Sequence, residues 1–189
     1  MNIFEIGDIC KDKLGAVDFL QRQNIIHTEV QCTPCEQTYS LIKESAKLSG
    51  FVWRCPTCRR KQSVLKDSFQ EGSKISPTTF LYVVFYWATE ASIRITLEHL
   101  GIANNTGVDY YKFLRDICTW KLLQTPDQLD RTDVEVQRKA KAFLRRIEVK
   151  SKDMDPSYVD EFLWRERFGT PNHLAFYNIL RHIAERYPC

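Results

Sequence analysis

Two Cys-x-x-Cys pairs, Cys32-Thr33-Pro34-Cys35 and Cys55-Pro56-Thr57-Cys58, stand 19 residues apart, and they restrict the folding of this chain more than any other feature. A Cys-x-x-Cys loop lets two thiolates reach one ion, and two such loops on facing hairpins complete a tetrahedral shell. Four sulfurs leave no open coordination position. The spacing therefore predicts one structural zinc ion held by Cys32, Cys35, Cys55 and Cys58, not a catalytic one. Cys10, Cys118 and Cys189 lie at no ligand spacing and read as buried or incidental thiols.

Between the pairs, Thr38–Ile42 alternates and Phe51-Val52-Trp53 is aromatic, so both read as short strands with Ser49-Gly50 as the turn between them. The expected fold class is mainly α with a small β zinc ribbon at residues 31–75. A helical segment precedes it at 1–30. At 43% apolar and 27% charged residues the chain is no disordered polymer. Its longest apolar run, Phe80 to Ala88, is nine residues, against about 20 for a membrane span. Glu5 and Asp8 come early, and no apolar stretch follows a basic start, so no signal peptide is read. The expectation is a soluble, unsecreted protein, nuclear if its source is eukaryotic and otherwise cytoplasmic, where thiols stay reduced. No membrane and no small-molecule substrate is expected as a partner.

From Ser76 the pattern turns helical. Ser76-Pro77 is a cap followed by proline at the first helical position. A second helix covers Ser92 to Leu100 and stops at Gly101. A third starts near Asn105 and holds Val108, Tyr111, Leu114 and Ile117 at helical spacing to about Trp120. Residues 76–120 thus have the anatomy of a helix-turn-helix. Residues 121–131 break the pattern as a linker. Thr132-Asp133-Val134-Glu135 then fits a capping box with Thr132 as the cap. Asp155-Pro156 and Thr170-Pro171 repeat the cap-then-proline start for two last helices within a C-terminal segment, 132–189.

Charge bears on function only once it is resolved along the chain. Lys and Arg total 27 against 24 acids, a formal +3 that argues for no partner by itself. The stretch from Arg131 to Lys152, however, holds eight basic and three acidic residues, leaving a slightly acidic remainder. Arg54, Arg59, Arg60 and Lys61 surround the second cysteine pair beside Trp53, a basic and aromatic face suited to a phosphate backbone. Asn104, Asn105 and Thr106 open the third helix, with Lys112 and Arg115 further along it. Asn suits adenine edges, and Lys or Arg suits guanine or phosphate. Arg138, Lys141, Arg145 and Arg146 of the basic helix would add phosphate contacts. His27, His99, His173 and His182 are scattered, and Asp127, Asp130 and Asp133 sit around a proline-containing linker, so neither set reads as a metal site.

The run from Phe51 through Cys55-Pro56-Thr57-Cys58 to Lys61, followed by Gly72-Ser73-Lys74, resembles the zinc ribbon that opens the Merlin-type transposases and the related ISXO-type insertion-sequence transposases. That family continues from the ribbon into a strand. The helical stretch with Tyr86-Trp87, Gly101 and Arg115-Asp116-Ile117-Cys118 looks like its DNA-binding helices. Tyr158-Val159-Asp160-Glu161-Phe162-Leu163-Trp164-Arg165 resembles its C-terminal signature. The family's catalytic domain implies two Asp and a third acid on a ribonuclease-H-like sheet, holding two divalent metals. Here the linker between Trp120 and Thr132 offers eleven residues. Only Glu135 could stand for the third acid, and it also reads simply as a capping residue.

The resemblance implies a DNA-binding protein derived from a transposase, with no catalytic triad and hence no enzyme. Two alternatives remain open at this point. One is a protein–protein module that self-associates or joins a full-length transposase. The other is a truncated gene product with no role of its own.

Overall fold

The structure, a computed structural model, describes residues 1–125, 131–149 and 155–189. Asp127 and Asp130 of the linker, and Lys152 at the end of the basic stretch, lie outside the described residues. Those described form a mainly helical protein with one three-stranded antiparallel sheet. They make two compact units, one of residues 2–81 with 183–189 and the other of residue 1 with 82–182.

The first unit carries the sheet. Helix α1 (Ile3–Ile9) opens on a capping box in which Asn2 accepts from the Phe4 and Glu5 N–H groups while Glu5 accepts from that of Asn2. Helix α2 (Lys13–Arg22) is capped by Asp12 and buries Ala16, Val17, Phe19 and Leu20 on one face. Strands β1 (Ser40–Lys43), β2 (Phe51–Arg54) and β3 (Lys61–Ser63) follow, with β2 in the middle. Lys43 pairs with Phe51 at the turn end of the β1–β2 hairpin, and Ser40 pairs with Arg54 at the other. Gly50 is required at the turn, because its φ is +76° and an added Cβ would meet Lys13 Cδ at 2.6 Å.

Helix α3 (Pro77–Ala88) starts as expected, with Ser76 Oγ accepting from the Thr79 N–H at 3.0 Å. Helix α4 (Ile93–Leu100) has Ser92 as its cap and ends at Gly101, whose φ of 61° is left-handed. Helix α5 (Asn104–Leu123) begins three residues later and continues past Trp120. Of its expected apolar face, Tyr111, Leu114 and Ile117 are buried, but Val108 is 40% exposed. The helix turns Gly107 toward α4 instead, where an added Cβ would stand 2.5 Å from Leu97 Cδ2.

Helices α6 (Val134–Arg146), α7 (Pro156–Phe168) and α8 (Ala175–Arg186) complete the fold. The cap of α6 is Asp133, not Thr132: its carboxylate accepts from the Glu135 and Val136 N–H groups at 2.7 and 3.1 Å. Aspartate serves because its short side chain reaches the orphan donors of the first turn and its charge suits the helix dipole. Thr170-Pro171 opens no α-helix directly. Thr170 Oγ1 donates back to the Arg165 carbonyl, and a short 3-10 turn (Asn172–Leu174) precedes α8.

Helix α7 packs against α5 and α6 and buries seven consecutive residues, Val159 to Arg165. Val159, Phe162 and Leu163 meet Ala140, Phe143 and Leu144 of α6 in a hydrophobic cluster. The polar members of this run are matched by partners. Asp160 accepts from Thr119 and Arg131, and the Trp164 indole donates to His182 Nδ1 at 3.0 Å. Arg165 pairs with Glu161 at 2.8 Å and donates to the Trp87 and Ala88 carbonyls at the end of α3. Its guanidinium also lies 4.1 Å from the Trp87 ring centre. The run Val159 to Arg165 is therefore the packing spine of the helical unit.

Candidate metal centre and basic surfaces

The two cysteine pairs fold into matching knuckles. In the first, the Glu36 N–H donates to the Cys32 carbonyl at 2.7 Å and the Cys32 N–H to that of Gln37 at 2.8 Å. In the second, the Arg59 N–H donates to the Cys55 carbonyl at 3.1 Å and the Cys55 N–H to that of Arg60 at 2.9 Å. Glu36 and Arg59 hold the same place in the two turns and share a left-handed φ, 53° and 62°. This turn sends both sulfurs of a pair to one side. Paired at Ser40 and Arg54, β1 and β2 then bring the two knuckles together.

The four sulfurs lie within 4.8 Å of one another, and the Cys32 and Cys58 sulfurs are 3.5 Å apart. A metal–sulfur bond of about 2.3 Å places tetrahedral ligands about 3.8 Å apart, so this donor set fits one metal ion. The thiols already influence one another. Hydrogen bonding with Cys58, aided by burial, pushes the Cys35 thiol up to about 12. Cys55 moves the other way: burial pushes it up, but hydrogen bonds from the Cys58 and Thr57 N–H groups and from neighbouring thiols bring it down to about 6. Cys55 is thus the readiest thiolate and Cys35 holds its proton, which a divalent cation bound at the site would displace. Tyr39 stands beside the cluster, and its phenol pKa is raised first by its hydrogen bond with Cys32.

The other cysteines stay apart. Burial raises the thiol pKa of Cys10 to about 11 and that of the fully buried Cys118 well above its ordinary value. Among the described residues, the four knuckle cysteines are the group of three or more His, Cys, Asp or Glu that converges on a single point. Glu135 is exposed in the first turn of α6. Its carboxyl is held below the usual range by hydrogen bonds from Arg138 and by nearby Lys139.

The basic residues divide into available and committed ones. Arg54 is half-buried at the end of β2, and Arg59 and Arg60 are exposed on the second knuckle. A recess of about 450 Å³ lies between Arg54, Arg59, Pro56 and Ile42. Lys61 is exposed at the start of β3 and paired with Glu44. On α5, Asn104, Asn105 and Lys112 are exposed and Thr106 is half-buried. The same helix exposes Asp109 and Asp116, which cancel its cationic character.

Arg115 departs from its expected place on this surface. It is 6% exposed, donates to Ser157 Oγ at 3.1 Å and stacks 4.1 Å over the Tyr158 ring. On α6, Lys141 and Arg145 are exposed, whereas Arg138 and Lys139 are both paired with Glu135 and Arg146 with Glu90 at 2.6 Å. Sequence reading missed β3, Tyr39 as a neighbour of the sulfurs, and the second-knuckle recess; Tyr39 alone carried a signal, as an aromatic residue in the hairpin between the cysteine pairs. No helix among the described residues is long and apolar enough to cross a membrane.

No family model and no solved structure matches the chain. It is similar to male abnormal protein mab-31 of Caenorhabditis elegans, at 33% identity over 122 residues, covering 56% of this chain and 28% of that protein. The chain therefore spans little more than a quarter of the length of this relative.

Proposed function

We propose that the chain is a zinc-stabilised binder of duplex DNA that does not cut it, as its resemblance to Merlin-type and ISXO-type transposases implies. The observation that carries this reading is the second knuckle. It projects Arg59 and Arg60 from a turn tied to the four-sulfur cluster, with Arg54 beside them. Cysteines 32, 35, 55 and 58 would hold the zinc, which supplies a cross-link between the knuckles and no reactive position. Arg54, Arg59 and Arg60 hold phosphates on one unit. Lys141 and Arg145, one turn apart on α6, form a second phosphate-binding surface. The exposed start of α5, with Asn104 and Asn105, reads base edges at most weakly, because Asp109 and Asp116 oppose a polyanion there.

Two measurements test the proposal. Metal analysis by mass spectrometry is expected to find one zinc per chain, and a folded protein without metal would overturn the zinc assignment. Fluorescence anisotropy against duplex DNA is expected to show micromolar, salt-dependent binding at low salt. Replacing Arg59 and Arg60 with Ala should lower the salt slope by about 2. No salt-dependent binding at micromolar protein would overturn the DNA reading.

A further inference from the structure

We propose that the cavity at the turn end of the β1–β2 hairpin receives one apolar side chain from an acidic peptide segment of a partner protein. The cavity encloses about 490 Å³, and its walls include Leu14, Phe51, Gly50 and the stems of Lys13 and Lys43. That volume suits a small ligand or a single anchoring side chain. Leu14 is 40% exposed and Phe51 half-buried, so apolar surface remains open to an occupant.

The rim supplies the charge preference. Lys13 lines the cavity, and its Nζ donates to the Lys47 carbonyl at 3.4 Å, which fixes one ammonium beside the hairpin turn. Lys43 is exposed on β1. Asp12 also lines the cavity, but its carboxylate caps α2 by accepting from the Gly15 N–H at 2.8 Å. Lys13 and Lys43 thus set two cations against one committed carboxylate, and residues flanking an inserted side chain would be acidic.

An extended segment, rather than a free small molecule, fits the surroundings. Strand β1 is an edge of the sheet, and Lys43 is both its last residue and a wall of the cavity. A peptide running along that edge pairs its main chain there and drops one side chain into the recess. Because Lys43 and Phe51 lie at the opposite end of the hairpin from Arg54, this site is separate from the second knuckle and does not rest on the DNA reading.

Selection of a random-peptide display library on the metal-loaded full chain tests the proposal. The expected winners carry one aromatic or leucine residue flanked by Asp or Glu, and they shift the amide NMR signals of Leu14, Lys43 and Phe51. Leu14→Glu is tolerable in the first turn of α2. That variant and Lys43→Glu should each weaken binding by about tenfold or more while leaving metal content and DNA binding unchanged. The proposal falls if no peptide is enriched, if the winners bind both variants as well as the parent, or if their shifts map elsewhere. It also falls if duplex DNA shifts the same amides and displaces the peptide, since the surface would then serve nucleic acid.

Discussion

Arg165→Met tests the packing spine of the helical unit. The Arg165 side chain is 8% exposed and its partner Glu161 is 2% exposed. The substitution leaves the Glu161 carboxylate without the guanidinium 2.8 Å away, and it strips the Trp87 and Ala88 carbonyls of donors at 2.7 and 3.3 Å. Breaking a buried pair from one side costs about 3–5 kcal/mol. That is a large part of a total stability of about 5–15 kcal/mol. Glu161→Gln is milder, because Arg165 keeps its bonds to the end of α3. The double variant removes the orphan charge, so it should be more stable than the sum of the two single losses by about 2 kcal/mol. Urea unfolding followed by tryptophan fluorescence measures all three, since the Trp87 and Trp164 rings lie 5.5 Å apart beside the pair. If Arg165→Met stays within about 1 kcal/mol of the parent, or if the two losses simply add, the pair does not hold α7 to α3 as argued.

Further changes probe other joints. Asp133→Ala should cost about 1 kcal/mol and more than Thr132→Ala, measured by thermal unfolding; the reverse order would restore Thr132 as the cap. The Asp155 carboxyl is held below its usual range by hydrogen bonds from Ser157, first from the hydroxyl and then from the N–H. Its stabilising effect is thus complete above the ordinary carboxylate pKa and is lost as pH falls through the lowered one, so Asp155→Ala should reduce the acid sensitivity of unfolding in that range. Gly107→Ala should destabilise the α4–α5 contact by about 1–3 kcal/mol unless Leu97 can swing away, which differential scanning calorimetry would register.

What could be read in advance was mostly local. The cysteine knuckles, the Ser76 cap and the stop at Gly101 each depend on a few neighbouring residues, and the structure holds them as expected. The box at Thr132 failed by one position because two adjacent residues could cap and only the path of the backbone decides between them. Strand β3 is three polar residues, Lys61 to Ser63, and exists because β2 offers it an edge. Arg115 looked like surface because arginine usually is, yet Ser157 and Tyr158 give its head a partner in a buried place. Arg165 meets Trp87 across 78 residues, and no periodicity in either helix announces that meeting.

The congruence of the two knuckles also gives the centre a polarity. The backbone makes the same turn twice, but the left-handed position is glutamate in one copy and arginine in the other, followed by Gln37 and Arg60. An ion bound there would therefore sit between an anionic and a cationic copy of one shape. A polyanion approaching such a centre is turned to meet it from the Arg59 side. Exchanging Glu36 and Arg59 would keep the geometry and the total charge while erasing most of that preference, since Arg54 and Arg60 would remain at the second knuckle.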